Sequence, residues 1–197
     1  MKKLFILSIC LCLFKIGFSA NDLRAALINA NSKDAAQSIF EGYSNHQKAS
    51  VWVDKLNQVL SLTCWNENQI ALLTSFRNEI VAGIFVAGSQ TQQDFQTWSE
   101  SWKTRALQYF SISQVRFILT LVSDYKASYT SGGSSSGSSC NCSTGDDFCD
   151  GIIISTGDAC KSGGCETKSS GCGKLWMYTC NGTCQGVQPS GINTIIW

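Results

Sequence analysis

Eight cysteines fall between Cys140 and Cys184, and the compartment in which the chain folds decides what they do. The N-terminus answers that first. Lys2 and Lys3 precede an apolar run from Leu4 to Phe14, broken by Lys15, and the small residues Gly17, Ser19 and Ala20 follow. This is the three-part pattern of a cleavable secretory signal peptide, residues 1–20. The run is too short for a membrane span, which needs about twenty apolar residues. No later segment is long and apolar enough either, so the mature chain is expected to be secreted, with no transmembrane segment. Cys10 and Cys12 leave with the signal peptide. In an exported chain the remaining cluster of Cys140, Cys142, Cys149, Cys160, Cys165, Cys172, Cys180 and Cys184 reads as a disulfide framework. Zinc is the competing reading. Zinc sites repeat short Cys pairs, often with His, whereas these gaps are irregular and His46 is the only histidine. No metal or other cofactor is expected.

Charge excludes a further class. From Asn21 to Thr130 nine basic residues balance nine acidic ones, and the cysteine-rich end carries three lysines against five acidic groups. Nucleic-acid binding requires a basic patch, and none is present.

Residues 21–129 read as an α-helical bundle of four to six helices. Short segments over Asp22 to Asn29 and Lys33 to Tyr43 come first. Trp52, Leu56, Val59 and Leu60 mark one face of a helix from about His46 to Leu62. Asn66 with Gln69 resembles a capping box and opens a helix through Ile70, Leu73, Phe76, Ile80 and Ile84. Phe95, Trp98, Trp102, Leu107 and Phe110 form another stripe. Ser111 and Gln114 repeat the box ahead of Val115, Ile118, Val122 and Tyr125. The aromatic stripe reads as core rather than as a ligand groove. Cys64, beside Trp65, reads as a small buried apolar residue, with pairing to another chain as the alternative.

Residues 130–139, TSGGSSSGSS, carry no apolar side chain. Such a stretch reads as a flexible linker and a place for a protease to cut. Residues 140–197 follow as a small disulfide-rich, β-containing module. A domain of this size gains little from its core, and each disulfide contributes on the order of 2–4 kcal/mol. Ile152 to Ile154, Leu175 to Cys180 and Ile192 to Trp197 read as short strands. Asn181-Gly182 reads as a two-residue hairpin turn returning through Thr183 and Cys184.

The segments CNCSTGDDFC (Cys140 to Cys149), TGDAC (Thr156 to Cys160) and GCGKLWMYTCNG (Gly171 to Gly182) resemble the bacteriocin fulvocin C-related proteins. Shared in order are C-x-C-S-T, an Asp-aromatic-Cys step, T-G-x-A-C, G-C-G, a Trp-x-Tyr pair and C-N-G. The layout is also similar, with an exported helical region ahead of the Cys-rich end. The pattern differs in two places. Ile154 and Ser155 stand where the pattern has a cysteine, and so does Thr179, while Cys165 and Cys184 keep the count at eight. The resemblance thereby implies a relocated bridge, Cys165–Cys184.

The resemblance implies a secreted bacteriocin-like protein whose stapled module acts on competing bacteria once the linker is cut. Trp176, Tyr178 and Trp197 are its candidate contacts to a bacterial cell-surface target, a receptor or a lipid, and an immunity protein is an expected partner. The other reading of these aromatics is a miniature core, Trp176 foremost. The alternative function is an uncut binding or display protein with no killing activity. An enzyme is not expected, because His46 has no partner motif and no nucleophile elbow, zinc-protease motif or phosphate loop is present. Asp146, Asp147 and Asp150 lack calcium-loop spacing and read as a solvated acidic loop. Asn141-Cys142-Ser143 and Asn181-Gly182-Thr183 match the glycosylation pattern, which matters only in a eukaryotic secretory host.

Overall fold

Serine and asparagine set where the helices begin. The computed structural model describes residues 19–122, 140, 142–146 and 160–184. Within them lie α1 (Ala20–Ile28), α2 (Lys33–Glu41), α3 (Asn45–Leu60), α4 (Glu67–Glu79), α5 (Gln90–Ala106) and α6 (Ile112–Thr120). Ser19, Ser32, Ser44, Asn66, Ser89 and Ser111 each accept a backbone N–H of the first turn that follows. Those first-turn donors have no partner inside the helix, and each such cap contributes about 1 kcal/mol. Asn66–Gln69 and Ser111–Gln114 close as full capping boxes.

The helices bury one continuous core. Phe40, Trp52, Leu56, Val59, Leu73, Phe76, Trp102 and Ile118 are fully buried. The aromatic stripe belongs to that core. The Phe76 ring lies 5.8 Å from Phe95 and 4.5 Å from Trp102, and the Trp102 indole donates to the Leu72 carbonyl at 2.9 Å. Ile70 and Leu107, counted on these stripes from spacing, are exposed.

The expected single helix through Ile84 divides. α4 stops at Glu79, Ile80 turns extended, and Ala82–Phe85 forms a 3-10 turn. Ile80 and Val81 are β-branched, and Gly83 disfavours helix. The break folds the turn against α3 and α5, where Ile84 is 1% exposed. Cys64 departs from expectation too: it is an exposed free thiol at the α3–α4 corner, while its neighbour Trp65 takes the buried place.

The cysteine-rich segment forms two small antiparallel ladders. β1 (Cys160–Ser162) pairs with β4 (Gly182–Cys184), and β2 (Lys168–Cys172) pairs with β3 (Tyr178–Cys180). Asn181-Gly182 is therefore no hairpin turn, because β3 and β4 pair with different upstream strands. Neither residue has the positive φ that a two-residue hairpin turn of that type needs. Gly182 serves close approach instead: a Cβ there would lie 2.5 Å from the Lys161 carbonyl oxygen and 2.6 Å from Cys160 Sγ. Leu175 to Cys180 is not one strand either, since Lys174–Trp176 is a 3-10 turn ahead of β3. Ile152 to Ile154 and Ile192 to Trp197 lie outside the described residues. No helix among the described residues is long and apolar enough to cross a membrane.

Candidate functional site

The cysteine-rich segment makes its own small interior from sulfur. Cys140 bonds to Cys165, Cys142 to Cys160, and Cys172 to Cys180. Cys140, Cys172 and Cys180 form a buried cluster with Cys165 packed on it. The Cys140–Cys165 bond corrects the expected Cys165–Cys184 bridge. Cys165 lies in the loop leading into β2, and the Cys140 amide donates to the Glu166 carbonyl at 3.1 Å. That places Cys165 beside Cys140. The backbone of Cys184 instead faces Cys160 across the other ladder. Cys149 lies outside the described residues.

The large apolar residues of the segment go elsewhere. Leu175, Trp176 and Met177 are buried in the core of the helical region. The Trp176 ring meets Phe40 edge-on at 5.4 Å and Trp52 at 6.4 Å. Its indole N–H donates to the Thr120 carbonyl at 2.9 Å. Thr120 is the last residue of α6, so this carbonyl has no acceptor role inside the helix. Lys55 Nζ donates to the Phe117 carbonyl and Arg24 Nη1 donates to the Val122 carbonyl. The end of α6 is thus completed by α3, α1 and a hook from the cysteine-rich segment. Trp176, a candidate target contact by sequence, faces inward and is 5% exposed. Tyr178 is half-buried and packs against the same core. Trp197 lies outside the described residues.

The hook is tightly bent. Leu175 and Trp176 both take left-handed conformations, at φ 54° and 55°. A non-glycine residue there costs roughly 1–2 kcal/mol, so burial of the two side chains has to exceed it. Gly173 (φ 66°) precedes them, and a Cβ there would lie 2.6 Å from Asp146 Oδ2.

Charge surrounds the base of the hook. Lys174 is 2% exposed, and its ammonium pairs with Glu100 of α5 and faces Asp146 Oδ1 at 3.6 Å. The Lys174 amide donates to Asp146 Oδ2. Asp146, read from sequence as part of a solvated loop, is buried and shapes this bend; Asp147 and Asp150 lie outside the described residues. Partial burial pushes the Glu100 carboxyl up, but the hydrogen bond and charge of Lys174, aided by Lys103, outweigh it and hold it below its ordinary range.

A second contact zippers β2 onto α2. Gln37 Nε2 donates to the Gly171 carbonyl at 2.8 Å, Lys168 Nζ pairs with Asp34 at 3.0 Å, and the Ser169 hydroxyl donates to Glu41. Gly171 (φ 106°) allows the approach, since a Cβ there would lie 2.9 Å from Gln37 Cγ. Asp34, Gln37 and Glu41 occupy one stripe of α2, spaced by three and four residues. Sequence reasoning missed them because a polar stripe looks the same whether it faces water or another strand. The one signal was Gln37, which continues the buried face of Ala36 and Phe40.

Of the remaining motif residues, Asn181 is engaged at both ends of its carboxamide. It accepts from the Thr144 amide and donates to the Thr144 hydroxyl, each at 2.8 Å. Asn141 lies outside the described residues. His46 is exposed in the first turn of α3. No group of His, Cys, Asp or Glu able to hold a metal occurs among the described residues. No family model, curated protein or solved structure matches the chain.

Proposed function

We propose that the chain is an exported, bacteriocin-like protein, related to the fulvocin C-related proteins, whose helical region carries and holds a stapled effector segment. The motif order from Cys140 to Gly182 supports the relationship. Export through residues 1–20 is the step that makes an oxidised framework attainable. The observation that carries the reading is the division of labour inside the segment. Its own interior is built from disulfide sulfur, so it can persist alone. Its largest apolar residues, Leu175 and Trp176, are instead buried by the helices. A carried effector needs both properties: staples that survive separation, and apolar surface that emerges only on release to meet a bacterial receptor or lipid.

The test compares the intact oxidised chain with the released cysteine-rich segment on a panel of bacteria related to the host. The intact chain is expected to be quiet and the released segment to inhibit growth. Failure of both across the panel overturns the proposal.

The shared core also favours a second reading, a secreted or surface binding protein that stays in one piece. A full-length chain in the host's medium, with no inhibition by any fragment, selects it.

A further inference from the structure

The helical region has one cysteine, Cys64, and it is a free thiol. Among the described residues no disulfide crosses from one half to the other, and the contacts between the halves there are all noncovalent. Those contacts are extensive and of different kinds. The Trp176 indole fills the space beside Phe40 and Trp52 and completes the end of α6. The Lys174 ammonium, nearly without solvent, reaches Glu100 across the interface. β2 lies along α2 through Gln37, Asp34 and Glu41.

We infer that the helical region is a receptor for its own cysteine-rich segment and keeps it bound, noncovalently, after the chain between Thr130 and Ser139 is cut. Cleavage alone does not free the segment. A second event, unfolding of the helical region or competition for the Trp176 site, has to follow. Each half supports this differently: the segment is held in shape by its bridges, and the helical region offers a site whose walls belong to α2, α3 and α6. Retention is a property of the interface and holds whether or not the segment inhibits bacteria.

The experiment uses the full chain, folded with its bridges oxidised and carrying a specific protease site within residues 130–139. After complete cutting, size exclusion and native mass spectrometry are run at low micromolar concentration. The expected result is one species with the combined mass of the two fragments, the uncut mass plus one water, that separates into two only in denaturant. Trp176→Ala is expected to weaken retention by on the order of a hundredfold or more, the scale of removing a buried indole. Because that variant disturbs the core, Glu100→Gln serves beside it. Glu100 is half open to water, so its change is expected to weaken retention roughly tenfold, with helical content unchanged. Separation of the cut wild-type halves at this concentration overturns the inference. So does retention that neither substitution weakens.

Discussion

Replacing Trp176 with alanine changes one residue of the cysteine-rich segment, yet its main effect is expected on helices that end before Leu121. Truncating a buried tryptophan costs about 3–5 kcal/mol through lost transfer energy and the cavity it leaves. The Thr120 carbonyl also loses its donor, a neutral hydrogen bond of about 1 kcal/mol. Nothing offsets this at the backbone, because alanine at φ 55° pays the same left-handed penalty. The sum is about 4–6 kcal/mol. For a domain of this size each kcal/mol moves the melting temperature by about 2–4 °C, so the helical transition should fall by about 8–24 °C. The assay is thermal melting followed by far-UV circular dichroism. Trp176→Phe, which keeps a ring but no N–H donor, should lie between the two. An unchanged helical transition in Trp176→Ala would refute the packing of the hook into the helical core. That result would mean the segment is a separate body whose hook adds nothing to the helical core.

Three further outcomes are expected. Peptide mapping without reductant should recover Cys140–Cys165, Cys142–Cys160 and Cys172–Cys180, and a peptide joining Cys165 to Cys184 would contradict the fold of β2. Acid should loosen the interface: the Glu100 carboxyl titrates below its ordinary value of 4.5, so its contribution is complete above that pH and disappears as pH falls through its folded value. Asp146, which faces Lys174, and Asp34 and Glu41 at the α2 seam are the other carboxylates there, with Lys33, Lys103, Arg116 and Lys168 the cations beside them. Burial holds the Lys33 ammonium down to about 7, so retention of the cut halves is titrated in wild type and in Glu100→Gln, and stronger retention in acid would refute the effect. Gly171→Ala should destabilise the chain by about 1–3 kcal/mol from backbone strain alone, with more from the clash at Gln37; chemical denaturation measures it, and an unchanged midpoint would refute the close approach of β2 to α2.

Much of the helical region is legible in sequence because its determinants are local. Asn66 with Gln69 and Ser111 with Gln114 mark helix starts three residues apart, and Trp52, Leu56 and Val59 mark a face by their period. Local rules failed where a distant element decides. The period through Ile80 and Ile84 suggests one helix, but Ile84 has to turn back against α3 and α5. Asn181-Gly182 looks like a hairpin turn, but the chain around it is claimed by Cys142 and β1. Trp176 carries no local mark of its partners, since Phe40 and Thr120 lie far upstream. Disulfide pairing has the same character: spacing permits many connectivities, and only the arrangement of β2 against Cys140 selects Cys165.

Hydrogen exchange on the intact, oxidised chain reads whether the hook and the helices open as one body. The amides of Trp176 and Met177 donate to the carbonyls of Gly173 and Lys174, in a turn whose side chains are buried against α2, α3 and α6. Peptides covering Gly173 to Tyr178 should therefore be as protected as those of α3, and should lose protection together with α3 as denaturant is added. Rapid exchange of that turn while α3 stays protected would show that the hook is not part of the helical core and that the two halves open separately.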